Sequence, residues 1–197
     1  MPDKHRIKTG LLFGSFNPVH IAHLIIGQYF VQYTGLEQIW FVVTPQNPFK
    51  TGEQMLNGRE RLRLVGLAIE GNQAFFASGA ELDMGTPSYT IHTIRKFQSE
   101  HPDRDFVLLI GSDNLGEFDR WKDYEDILAR VEVYVYPRPG KQDPPLLNHP
   151  GIRMFPAPRV EIASTQIRHA LEQGRDPRYL LPEKVLDEIY RLGHYRG

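Results

Sequence analysis

The strongest constraint on this chain is an alternation. Short runs rich in β-branched and aromatic residues, at 8–13, 38–44, 74–78, 105–111, 131–136 and 152–156, are separated by segments with the apolar period of a helix, at 20–33, 59–70, 89–101 and 124–129. Two more helical stretches, 165–173 and 183–191, come after the last run. Strands that alternate with helices are joined by right-handed crossovers and therefore lie parallel in one sheet. Leu11-Leu12-Phe13 and Val107-Leu108-Leu109-Ile110 are continuously apolar, as strands covered by helices on both faces must be. The expectation is an α/β fold: a doubly wound, mostly parallel, Rossmann-like sheet of about six strands with C-terminal helices. Ligands bind such sheets beyond the carboxyl ends of the strands, so chemistry is expected just after Phe13, Thr44, Ser78 and Ile110.

Seven prolines crowd residues 137–158, which reads as a loop flanking an edge strand. The stretch beyond 151 is too short to bury a core of its own, so one domain is expected over 1–197, with a helical subregion from about 164. Lys and Arg number 23 against 24 Asp and Glu, which leaves no overall basic field for a nucleic-acid partner. No apolar run approaches the ~18 residues that cross a bilayer, and the N-terminus lacks a signal-peptide pattern. A soluble, cytoplasmic protein without a membrane partner is expected, and a homo-oligomer is compatible with the sequence. The absence of cysteine removes disulfides, thiolate zinc sites and thiol nucleophiles together, leaving eight histidines as the near-neutral titrating groups.

Chemistry concentrates in Gly14-Ser15-Phe16-Asn17-Pro18-Val19-His20-Ile21-Ala22-His23, directly after the first strand. Asn17 suits a helix N-cap and Pro18 the first helical position, which would aim free backbone donors out of the sheet's carboxyl edge as an anion site. His20 and His23 are three apart and would project from one side near the positive helix end, where both can donate to phosphate oxygens. Two histidines at this spacing also describe a surface pair or a fragment of a metal site, but no His-Glu-x-x-His pattern supplies further ligands. Ser164 can cap a helix from Thr165, gathering free N–H groups, the Thr165 hydroxyl and Arg168 into a second phosphate cradle. Thr86-Pro87 repeats the cap-plus-proline logic before a helix near Ser88 and could receive a carboxylate. Gly111 allows close approach of a ligand, and Asp113 can either accept from ribose hydroxyls or cap the next turn. Lys50, after a proline-rich turn, is a solvated loop lysine or a flexible point charge that closes on substrate. Trp121 is a partly buried core residue or a stacking face.

The segment 14–23 resembles the His-x-Gly-His signature of the nucleotidyltransferase superfamily, and the chain is most similar there to the bacterial nicotinate-nucleotide adenylyltransferases. Ordered matches continue through Pro45-Gln46-Asn47-Pro48-Phe49-Lys50, Pro87-Ser88-Tyr89-Thr90, Gly111-Ser112-Asp113-Asn114-Leu115 with Trp121, and Ser164-Thr165-Gln166-Ile167-Arg168. Phe13 stands where many relatives have glycine, Ala22 replaces the signature's glycine, and Ala163 stands where serine is common; none of these removes a reacting group. The resemblance implies His20, His23, Lys50 and Arg168 as catalytic residues. It implies ATP contacts from Gly14, Ser15, Phe16, His23, Gly111, Asp113, Ser164, Thr165 and Arg168. Asn17, Lys50, Thr86, Tyr89, Thr90 and Trp121 would bind nicotinate mononucleotide, with Trp121 stacking on the pyridine.

The implied reaction joins ATP and nicotinate mononucleotide into nicotinate adenine dinucleotide and pyrophosphate, a step of NAD biosynthesis. The already ionised acceptor phosphate would attack the α-phosphorus in line, so catalysis reduces to positioning and charge neutralisation. Mg²⁺ would ride on the ATP phosphates, with no dedicated protein metal site. The rival readings are transfer to nicotinamide mononucleotide or phosphopantetheine, a non-catalytic nucleotide sensor, and a metal-binding protein.

Overall fold

A computed structural model describes residues 5–45, 55–85, 87–138 and 146–196. Six parallel strands, β1 (Ile7–Gly14), β2 (Gln38–Val43), β3 (Phe75–Ser78), β4 (Arg104–Gly111), β5 (Glu132–Tyr136) and β6 (Ile152–Met154), form one sheet in the order β3-β2-β1-β4-β5-β6. The expected doubly wound sheet is therefore present. Its strand order reverses between β1 and β4, which opens a crevice beside Gly14 and Gly111.

Seven α-helices cover the described part of the sheet: α1 (Ile21–Tyr33), α2 (Gly58–Ile69), α3 (Thr90–Glu100), α4 (Ser112–Leu115), α5 (Tyr124–Arg130), α6 (Ser164–Glu172) and α7 (Glu183–Leu192). The strands' period of two divides their side chains between two cores. Leu12, Phe41, Leu109 and Tyr134 pack under Phe30 of α1, Leu64 of α2, Ile167 of α6 and Ile189 of α7. Leu11, Val42, Leu108 and Val133 pack under Ile94 of α3, Leu115 of α4 and Ile127 of α5. This explains the unbroken apolar runs: successive residues of a central strand enter different cores, and both are buried. No helix among the described residues is long and apolar enough to cross a membrane.

Three helix starts differ from the sequence reading. The first helix begins at Ile21 with His20 as its N-cap, not with Asn17 and Pro18. Asn17 and Pro18 form a turn ahead of the helix, after a left-handed Phe16 (φ 46°), and the Asn17 side chain is recruited elsewhere. The third helix starts at Thr90 with Tyr89 as N-cap; Thr86 lies outside the described residues. The sixth starts at Ser164, one residue early, so Ala163 occupies the N-cap without an oxygen to offer. The Gln166 side chain compensates by accepting from the Ala163 amide at 3.2 Å. At the sheet edge β6 is shorter than expected: Phe155 still donates to the Val135 carbonyl, but Pro156 has no N–H to extend the ladder.

Candidate active site

Two cavities flank the switch point. The first, about 230 Å³, lies between the N-terminal ends of α1 and α6 and is lined by His20, Ala22, His23, Arg138, Ala163 and Gln166 among others, with Leu12, Ile26 and Ile162 supplying apolar wall. The second, also about 230 Å³, is lined by Gly14, Thr44, Thr90, Asn114 and Trp121. Tyr136, the last residue of β5, borders both. Helix N-termini carry unpaired donors and the positive end of the helix dipole. The first cavity has two such ends facing it, and the second has Thr90 at the start of α3.

His20 and His23 stack with ring centroids 3.7 Å apart. The backbone N–H of His20 donates to Nδ1 of His23 at 3.2 Å, so Nδ1 must be bare and the His23 proton sits on Nε2. Phe16 walls the pair, its ring edge-on to His23 at 5.0 Å. Burial, with the nearby Arg138 guanidinium, holds His20 down to about 4. Burial, then His20 and Arg138, hold His23 well below the ordinary histidine range. Both rings are therefore neutral in the unliganded protein and act as single-proton donors, not as the cationic pair that a phosphate-binding helix end suggests.

Two arginines that sequence reasoning missed, Arg138 and Arg159, line the first cavity, and Arg138 is the one beside the histidines. Arg138 comes two residues after β5; its amide donates to Ser112 Oγ at 2.9 Å, and that hydroxyl also bonds the Arg138 carbonyl. These bonds pin the end of β5 to the start of α4. The guanidinium pairs with Asp113 at 3.7 Å, both side chains being partly exposed. A Cβ on Gly111 would lie 2.2 Å from Asp113 Oδ1 and 2.7 Å from Arg138 Cδ, so the close approach expected of this glycine is made first by its own neighbours. The available signal was a cation at the carboxyl end of a neighbouring strand, where this sheet type places ligands.

The other expected residues divide by location. Gly14, Thr90 and Trp121 meet at the second cavity. Tyr89 stays outside it as the N-cap of α3, with the Lys122 ammonium 4.4 Å from its ring centroid. Arg168 is only 6% exposed and turns inward, its guanidinium donating to the Asn17 carbonyl at 2.9 Å. It braces the loop after β1 and is not among the first cavity's lining residues. Ser164 does likewise, through Oγ to the Pro18 carbonyl at 3.0 Å, while Thr165 is exposed. Asn17 is buried, and its side-chain oxygen accepts from the Leu56 amide and the Tyr195 hydroxyl. Ser15 is exposed, with its carbonyl held by buried Arg61. Lys50 lies outside the described residues.

Residues 11–170 match the family model described as cytidylyltransferase-like. A probable nicotinate-nucleotide adenylyltransferase of Cytophaga hutchinsonii is 42% identical over 189 residues, covering 96% of this chain and 98% of that protein. One of the same name from Bacteroides fragilis is 45% identical over 184 residues, covering 93% and 92%. The Plasmodium falciparum nicotinic acid mononucleotide adenylyltransferase, solved in complex with NaAD, shares the fold with a TM-score of 0.79 at 18% identity, over 95% of this chain and 97% of that one. With matches spanning strands, cavities and both helix ends of the site, this chain belongs to the cytidylyltransferase-like family and, within it, to the nicotinate-nucleotide adenylyltransferases.

Proposed function

We propose that the protein transfers the adenylyl group of ATP to nicotinate mononucleotide, releasing pyrophosphate and forming nicotinate adenine dinucleotide. The observation that carries this reading is the pair of cavities that share Tyr136 as a wall, with the imidazole pair and Arg138 lining the first. Two nucleotides bound one to each side would bring their phosphates together at the switch point. The apolar wall of Leu12, Ile26 and Ile162 suits a flat purine. Trp121 offers the second cavity an aromatic face for a pyridine. The N-terminus of α3 favours a carboxylate over a carboxamide there, which supports the acid form of the mononucleotide.

In the reaction an oxygen of the mononucleotide phosphate bonds to the α-phosphorus of ATP, and the bond from that phosphorus to the bridging oxygen breaks, with its electron pair leaving on pyrophosphate. The attacking oxygen is already ionised, so no protein nucleophile is required. The chain's part is geometry and charge. His20 and His23 donate hydrogen bonds from neutral rings, and Arg138, Lys50 and the helix ends balance the phosphates. Among the described residues no three histidine or acidic side chains converge as metal ligands. A Mg²⁺ that arrives on the nucleotide would keep phosphate and water ligands. When bound, it would neutralise part of the triphosphate charge. The test offers ATP with nicotinate mononucleotide, nicotinamide mononucleotide or phosphopantetheine in separate reactions and identifies products by mass. The acid dinucleotide with pyrophosphate is expected. Product from phosphopantetheine alone would overturn the acceptor assignment, and no product from any acceptor would favour a nucleotide sensor.

A further inference from the structure

The loop that leads into His20 is fastened by side chains that line neither cavity. Three of its carbonyls are held by side chains from distant parts of the chain: Ser15 by Arg61 of α2, Asn17 by Arg168 and Pro18 by Ser164, both of α6. Arg61 also donates to the carbonyls of Thr44 and Leu56 at 2.8 and 2.9 Å, tying the end of β2 and the approach to α2 into the same knot. The Asn17 side chain is a further fastening. Its Oδ1 accepts from the Leu56 amide at 3.2 Å and from the Tyr195 hydroxyl at 2.7 Å.

We propose that Tyr195 is a positioning residue for adenylyl transfer: its phenol clamps Asn17 and so fixes where His20 and His23 meet the reacting phosphates. The proposal rests on the reaction assigned above. Tyr195 stands only two residues from the last residue of the sequence, yet it is 4% exposed and bonds across 178 positions. Its backbone is left-handed at φ 59°, one of three such non-glycine residues among those described; another is Phe16, next to Asn17. Side chains rarely adopt that conformation, and it persists where tertiary contacts over-determine it. Burial raises the Tyr195 phenol, so it remains a hydrogen-bond donor throughout the neutral range. Tyr195 also packs in the core beside Ile189 and Leu186, a role that phenylalanine would fill equally well. The hydroxyl alone carries the proposed function.

Tyr195→Phe therefore separates positioning from packing. Tyr190→Phe is the control, because that hydroxyl bonds Asp176 on the surface at 3.3 Å. In the full chain with ATP and nicotinate mononucleotide, Tyr195→Phe is expected to lower kcat about tenfold, the factor one lost buried hydrogen bond can represent, with either KM changed less than about twofold. The His20 amide, which donates to His23 Nδ1, should exchange with solvent faster in Tyr195→Phe and at the parent rate in Tyr190→Phe. A kcat within about twofold of the parent, or unchanged His20 exchange, overturns the proposal. If the parent itself shows no turnover, the reaction assignment has failed, and the exchange comparison alone decides whether Tyr195 holds the loop.

Discussion

Acid should destabilise this protein through the buried pair His20 and His23 before most of its carboxylates respond. Burial and Arg138 hold His20 near 4 in the folded state, whereas an unfolded histidine titrates near 6.5. Between those values the unfolded chain binds a proton that the folded chain refuses, so the stability associated with the neutral ring is complete above about pH 6.5 and is lost as the pH falls toward 4. Integrating that difference gives a loss of about 2 kcal/mol at about pH 5, rising to about 3 kcal/mol below pH 4. His23 acts in the same direction, held down by burial, His20 and Arg138. Urea unfolding of the parent and of His20→Gln at about pH 7.5 and about pH 5 reads the contribution of His20 together with its hold on His23, because the remaining titrating groups are shared. The parent should lose about 2 kcal/mol more than the variant between the two conditions. Parallel losses would refute a buried, neutral His20.

Gly111→Ala would push a methyl group against Asp113 and Arg138. Both are partly exposed side chains that can swing aside, so the thermal midpoint should change by less than about 4 °C while KM for ATP rises about tenfold. An unchanged ATP KM in steady-state kinetics would contradict a role for that pair in nucleotide binding. Trp121→Ala should raise KM for the mononucleotide more than KM for ATP, since Trp121 lines the second cavity and not the first. Equal effects on both would reduce it to packing against Phe118, whose ring lies 5.1 Å away.

The fold was legible because its signals are local. The apolar run at Val107 to Ile110 needs no partner to announce a central strand, and the spacing of β and α segments dictates the parallel sheet and the crevice after Gly14. The places of His20 and His23 were legible for the same reason, since a strand end and a helix start fix them, whereas Trp121 is named by the family resemblance and lines the second cavity. What escaped was decided by contacts between residues far apart in sequence. Asn17 has the side chain of an N-cap, but Tyr195 and Leu56 claim its oxygen, and the cap passes to His20. Arg168 reads as a phosphate ligand, and no local pattern announces that its guanidinium also donates to the Asn17 carbonyl, 151 positions away. Arg138 sits in a proline-rich stretch without periodicity, and only the pairing of β5 with β4 brings it to Asp113. The charge state of the histidines was hidden as well, because burial is a property of the folded chain and opposes the protonation that a helix end alone would favour.

The measurement that bears most directly on the proposed chemistry is the kcat for pyrophosphate release by His20→Ala, with ATP and nicotinate mononucleotide at saturation and folding checked by thermal unfolding. His20 caps α1 at the mouth of the first cavity and stacks on His23. Loss of one preorganised donor to the transferring phosphate should lower kcat by about 10²–10³-fold in a protein that remains folded. A folded His20→Ala variant that turns over within about threefold of the parent would place the chemistry elsewhere.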